Sequence, residues 1–121
     1  MILSGPVKHL HIVCNDPCFY PPVGKDCVLL VNISSLLKES HFDKTCILDS
    51  QDHQFIKHES FVFYKKADIF GAERVNLGLA DGSLSSYENF TDSVFKRILD
   101  GFEVSDETKP KILKFCKKYC I

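Results

Sequence analysis

The chain has 121 residues, 45% of them hydrophobic and 26% charged, with a formal net charge of −1. That length suits a single domain with its own core and is short for two, so residues 1–121 are expected to fold as one unit. No apolar run approaches the ~18 residues needed to span a bilayer, and Met1-Ile-Leu-Ser-Gly-Pro6 is too short and lacks the basic start of a signal peptide, which points to the cytoplasm and excludes a membrane partner.

Lys8-His-Leu-His-Ile-Val-Cys14 reads as a first strand, with Leu10 and Ile12 on one face and His9 and His11 on the other. Residues 15–25 are dense in Pro, Asn, Asp and Gly and read as a loop. Asp26-Cys-Val-Leu-Leu-Val-Asn-Ile33 is a continuous apolar run, the pattern of a strand buried on both faces, and it delivers two hydroxyls, Ser34 and Ser35, at its end. Residues 44–48 form a third short strand. The stretch from Asp49 to Ser60 concentrates acids, His53, His58 and Ser60, opens with Asp-Ser-Gln-Asp turn chemistry, and leads into the β-forming Ser60-Phe-Val-Phe-Tyr64.

From Ala67 the period changes, and Ala67, Phe70, Gly71 and Val75 are spaced for a turn or two of helix, either at once or after a short strand, with Gly71 a poor helix former and Asp81-Gly82 closing the segment. Residues 83–89 connect to a helix that Thr91 caps, whose apolar stripe is Val94, Phe95, Ile98 and Leu99 and which Gly101 ends. A last helix begins with Pro110 in its first turn and turns Ile112, Leu113, Phe115, Cys116 and Tyr119 inward. The four strand segments are expected to share one sheet with the two C-terminal helices packed on it: an α+β fold built on a small curled sheet or barrel. Lys109, Lys111, Lys114, Lys117 and Lys118 lie in a final segment without acids, a basic end that suits nucleic-acid phosphates or an acidic partner.

The cysteines number six. A reducing compartment argues against a disulfide framework, and Cys14, Cys27 and Cys46 sit in apolar runs where a thiol behaves as a small hydrophobe. Cys14-x3-Cys18 with His9 and His11, or Cys116-x3-Cys120, supplies zinc ligand types, but neither has short Cys pairs on both sides. No metal and no cofactor is assigned.

The run into Asn15-Asp-Pro17, then Val28-Leu-Leu-Val-Asn-Ile-Ser-Ser35, then Asp52-His-Gln-Phe-Ile-Lys-His-Glu-Ser-Phe-Val-Phe-Tyr64 resembles a divergent branch of the PemK/MazF-like toxins. The likeness extends through Phe95-Lys-Arg-Ile-Leu99 and Thr108-Lys-Pro-Lys-Ile112. It implies an SH3-like, CcdB/MazF-like small barrel with C-terminal helices. It also implies the ribonuclease half of a type II toxin–antitoxin pair, often a homodimer, neutralised by a cognate antitoxin. Such enzymes cut single-stranded RNA without metal and leave a 2′,3′-cyclic phosphate. Their mechanism uses an Arg near the start of an early strand and a Ser or Thr at the end of a later one. Ser34 or Ser35 matches the second; where the first is expected, this chain has His9 and His11.

The chemistry makes the same demand by itself. Attack by a 2′-OH needs a base, an acid for the leaving oxygen, and donors to the phosphorane oxygens. His53, His58, His9 and His11 are the candidates for proton transfer, and Lys57, Ser34, Ser35 and Ser60 for the donors. An extended segment holds His53 and His58 on opposite sides of a phosphate, and a tight turn brings them together. Lys57, Lys65, Lys114, Lys117 and Lys118 are the candidate RNA-binding cations. Two other classes compete: a non-catalytic SH3-like module that binds a protein or nucleic acid, and a zinc-bound regulatory domain.

Overall fold

The apolar run at 26–33 becomes the spine of a sheet. The computed structural model describes residues 2–4, 9–36, 42–86 and 89–120. In chain order its elements are β1 (Ile2–Ser4), β2 (His9–Val13), β3 (Cys18–Tyr20), β4 (Lys25–Ser35), β5 (Ile47–Leu48), β6 (Ser60–Gly71), α1 (Ala72–Asp81), β7 (Leu84–Ser86), α2 (Asp92–Val104) and α3 (Pro110–Tyr119). The sheet order is β5-β6-β4-β2-β1-β7, with β3 paired to β4. Every pairing is antiparallel. The class is therefore α+β, and the strands expected near 8–14, 26–33, 44–48 and 60–64 do share one sheet.

Alternation along β4 explains why its sequence is apolar throughout. Cys27, Leu29, Val31 and Ile33 point into the main core with Leu10, Ile12, Val62 and Tyr64, and α2 and α3 cover that face through Ile98, Phe102, Ile112 and Phe115. Val28 and Leu30 point the other way, into a smaller cluster with Ala72, Val13, Phe70 and Val75, where α1 packs. Burying both faces requires apolar residues at consecutive positions. Val28, Leu30, Ile33, Val62, Ile98 and Phe115 are all buried.

Several boundaries differ from the local reading. Residues 65–71 continue β6 rather than starting a helix, because Asp68, Ile69 and Phe70 pair with Leu30, Leu29 and Val28; the partner strand outweighs a weak 3.6-residue period. Helix α1 starts only after Gly71, whose backbone is extended (φ −62°, ψ 131°), and it ends on Gly82 in the left-handed region (φ 85°). The loop at 15–25 contains the short strand β3, and the connector at 83–89 contains the strand β7. Helix α2 starts where expected, with the Thr91 side chain accepting from Val94 N–H at 3.4 Å, but passes Gly101 and ends at Ser105. Gly101 is a point of contact rather than a stop: a Cβ there would lie 1.8 Å from Tyr64 Oη. Among the described residues no helix is long and apolar enough to cross a membrane.

Candidate functional site

Antiparallel register gathers most of the candidate residues at one end of the sheet. Leu10 pairs with Ile33 and His11 with Asn32, so β2 begins where β4 ends. Ser34 faces Phe61 and Ser35 faces Ser60, so β6 begins there too, and Leu48 of β5 also pairs with Ser60. His9, His11, Ser34, Ser35 and Ser60 thus occupy neighbouring positions on adjacent strands. Alternation then divides them. His11, Asn32 and Ser34 lie on the face that carries α1, whereas Ser35 and Ser60 lie on the face that carries α2 and α3. The side chain of His9 lies outside the described residues.

On the α1 face the buried Asn32 donates from Nδ2 to Ser34 Oγ at 3.3 Å, which orients that hydroxyl. His11, half-buried, lines a groove of about 570 Å³ between the sheet and α1. Leu30, Phe70 and Val75 form apolar walls, and Arg74, Asp81 and Ser83 contribute the polar atoms. The Asp81 carboxylate accepts from Ser83 N–H at 2.8 Å. Hydrogen bonds from the Ser83 backbone and side chain hold it below the usual carboxylate range. The width of the groove is set by Gly78, where a Cβ would come within 2.6 Å of Leu84 Cδ1; its absence lets α1 settle against β7. An imidazole, a guanidinium and a carboxylate on one half-apolar groove are the parts from which proton transfer and phosphate binding are made.

The loop at 49–59 is built as its turn residues predict, but it faces elsewhere. Asp49 Oδ1 accepts from Gln51 N–H at 2.9 Å and Asp52 Oδ2 from Asp49 N–H at 2.9 Å. Asp52 is also paired with Arg97 of α2 at 3.2 Å, while Arg97 Nη2 donates to Ile47 O at 3.0 Å. The loop is thereby drawn to the α2 side. His53 is buried there, its Nδ1 accepting from Phe55 N–H at 3.0 Å and its ring 4.9 Å from that of Phe90. His58 is exposed, and its carbonyl accepts from Ser60 Oγ at 2.9 Å. Lys57 Nζ donates to Gln54 O at 2.9 Å. The fold therefore puts His11 on the α1 groove, with Asn32 as its cross-strand neighbour and Ser34 further along the same face, and leaves His53 in the opposite layer.

Comparison with protein-family models, with characterised proteins and with solved structures finds no match.

Of the lysines, Lys65 is exposed on β6 and Lys114 on α3. Lys117 lies 3.5 Å from Glu103, and Lys118 sits 5.4 Å over the Tyr119 ring. Helix α3 packs on the face opposite the groove, so its lysines and His11 do not share a surface. Among the described residues no His, Cys, Asp or Glu group of three or more is arranged for a metal ion. Asn32, Arg74 and Asp81 escape a sequence reading for different reasons. A polar residue inside the apolar run at 26–33 is a visible signal for Asn32. Arg74 and Asp81 reach the site only because α1 folds back over β4, which no local pattern reports.

Proposed function

We propose that the protein is a metal-independent endoribonuclease that cuts single-stranded RNA in the groove between α1 and the sheet, as the toxins of the PemK/MazF-like branch that it resembles do. The observation that carries this reading is the placement of His11 and Arg74 on one groove. The early strand lacks the arginine such enzymes use, and α1 supplies one from the opposite wall. In this mechanism neutral His11 accepts the proton of the attacking 2′-OH. Arg74 balances the charge that builds on the phosphorane oxygens, and Ser83, on the same groove, adds a donor. The leaving 5′-oxygen takes its proton from solvent, which the open groove admits.

On the same reading the sheet is a curled SH3-like one. Support comes from a bulge in its longest pair, where the single residue Val31 of β4 stands opposite residues 64–67 of β6; bulges bend a sheet and increase its twist. The protein acts in the cytoplasm, its neutralising partner is an antitoxin that fills the groove, and a homodimer is the expected assembly. The test is incubation of purified protein with a mixed-sequence RNA in excess chelator, followed by analysis of the new ends. Fragments with 2′,3′-cyclic phosphate, lost in Arg74→Ala, support the reading. Intact RNA with the wild-type protein overturns it.

One observation favours a second reading, a binding module without catalysis: Leu77, which also lines the groove, is 61% exposed. An apolar anchor of a peptide would fit there, and such a module would bind without cutting RNA.

A further inference from the structure

The groove that His11 lines carries charges of opposite sign at two points of α1. Arg74 and Asp81 both line it and stand about two helical turns apart, ~10.5 Å along the axis. Both are exposed, and among the described residues neither takes part in an ion pair. Leu30, Phe70 and Leu84 supply much of the remaining wall, and Leu77, also on the groove, is 61% exposed. A ligand that fits this layout has an anion at one end, a flat apolar body, and hydrogen-bond donors at the other. One nucleotide of an RNA strand has that form, with its phosphate at Arg74 and its base edge at Asp81.

Asp81 stands where a carboxylate is otherwise unfavourable. It is the last residue of α1, whose final turn has no basic side chain, and the free carbonyls of a helix C-terminus repel an anion. Its local bond does not require the charge: Oδ1 accepts from Ser83 N–H at 2.8 Å, a turn that asparagine closes as well. The negative charge is therefore available to a ligand. Guanine is the RNA base that suits it, because N1–H and the N2 amino group are adjacent donors on its Watson–Crick edge. The two oxygens of a carboxylate accept both at once, and the lone pair that Ser83 N–H occupies leaves capacity for them. Adenine and cytosine offer one amino group beside an acceptor, and uracil one N–H between two carbonyls, so each sets an acceptor against the carboxylate.

We propose that Asp81 is a specificity-determining residue that selects guanosine next to the scissile phosphate, accepting N1–H and N2–H while Arg74 holds the phosphate. The inference rests on the reading of this groove as an RNA site and names the base that the site takes. Bases of single-stranded RNA, unlike those of a duplex, present their Watson–Crick edges to a protein. The half-buried Phe70 offers a ring, and Leu77 an apolar edge, against which the base packs.

The test is fluorescence-anisotropy binding of 2′-O-methyl oligonucleotides, which cannot be cut by 2′-OH attack. Each carries one central guanine, inosine, adenine or uracil in an otherwise identical strand of cytosines. The wild type is expected to bind the guanine strand ~10-fold or more tightly than the adenine strand, the size of a bidentate contact. Inosine, which lacks the N2 amino group, should fall between them. In Asp81→Asn, which keeps the turn to Ser83, the guanine-to-adenine ratio should fall to near one. Equal affinities for the four strands, no binding to any of them, or a guanine preference that survives in Asp81→Asn would each overturn the proposal. Inosine bound as tightly as guanine overturns it with the wild-type protein alone, so the test holds even where the variant fails to fold. Cleavage of ordinary RNA separates the two claims. Cuts without guanosine beside them overturn this inference and leave the nuclease reading standing, whereas a guanine preference without cleavage supports the base contact and removes the nuclease reading.

Discussion

Gly101→Ala sets two ordinary effects against each other. The residue lies inside α2, where alanine is intrinsically favoured over glycine by ~1 kcal/mol. Its Cβ, however, would stand 1.8 Å from Tyr64 Oη and 2.5 Å from Cζ. Tyr64 has nowhere to retreat: it is fully buried, its hydroxyl donates to Ile98 O at 2.7 Å, and its ring meets that of Phe102 edge-on at 4.9 Å. Overpacking of this kind costs ~1–3 kcal/mol, and displacing the hydroxyl forfeits a hydrogen bond with a net value of ~0.5–1.5 kcal/mol. Subtracting the helical gain leaves a loss of about 2 kcal/mol, or a fall in Tm of about 8 °C for a domain of this size. Thermal and urea unfolding followed by circular dichroism measure it. Tyr64→Phe alone should cost about 1 kcal/mol. The double variant should lose less than the sum, because the atom nearest the new Cβ is gone. A Gly101→Ala protein as stable as wild type, or more so, would show that propensity governs the site and that the Tyr64 contact is not tight.

Other perturbations separate structure from function. His53→Ala removes the acceptor of the Phe55 N–H and the ring packed on Phe90, so it should lower stability by ~1–3 kcal/mol in urea unfolding while leaving the proposed RNA cleavage by the folded fraction unchanged. Ser105→Ala takes a donor from the buried Asp43 carboxylate, which also accepts from Thr45 N–H at 2.9 Å. Burial pushes Asp43 up, but the bonds from Ser105 and Thr45 more than reverse this and leave it below its ordinary value. A lowered carboxyl stabilises above the unfolded value of ~3.9, and that contribution fades as pH falls through the folded one. The cost of Ser105→Ala in denaturation curves should therefore be ~1.5–3 kcal/mol near neutrality and shrink in acid. If the groove binds RNA, Arg74→Ala should reduce the slope of log affinity against log salt by ~0.7, and simultaneous Lys114→Ala, Lys117→Ala and Lys118→Ala on the far face should leave it unchanged.

The elements that a local pattern specifies are those found. The continuous run at 26–33 marks β4 as buried on both faces, and Thr91 and Pro110 mark the starts of α2 and α3. Ile112, Phe115 and Cys116 are buried and the lysines between them exposed, as the helical period requires. Errors arise where a distant partner decides. Residues 68–70 are strand because β4 offers them a ladder, and Gly101 sits mid-helix because Tyr64, far away in the chain, fills the space beside it. The site divides in the same way. Ser34, Ser35 and Ser60 were visible as hydroxyls at strand ends, and β4 and β6 prove to be neighbours. The dense run from Asp49 to Ser60 draws attention by composition, yet the Asp52–Arg97 pair turns it toward α2. His53 consequently packs on Phe90, while the less conspicuous His11 lines the groove.

The most direct measurement is single-turnover cleavage of a mixed-sequence RNA, in chelator, by the wild-type protein and by His11→Ala with matched circular dichroism spectra. If His11 is the base, the wild type cleaves and His11→Ala does so at a rate ~10²–10⁴-fold lower, the size of a lost proton-transfer group. Equal rates in the two proteins, or wild-type cleavage that stops when chelator is added, would contradict it.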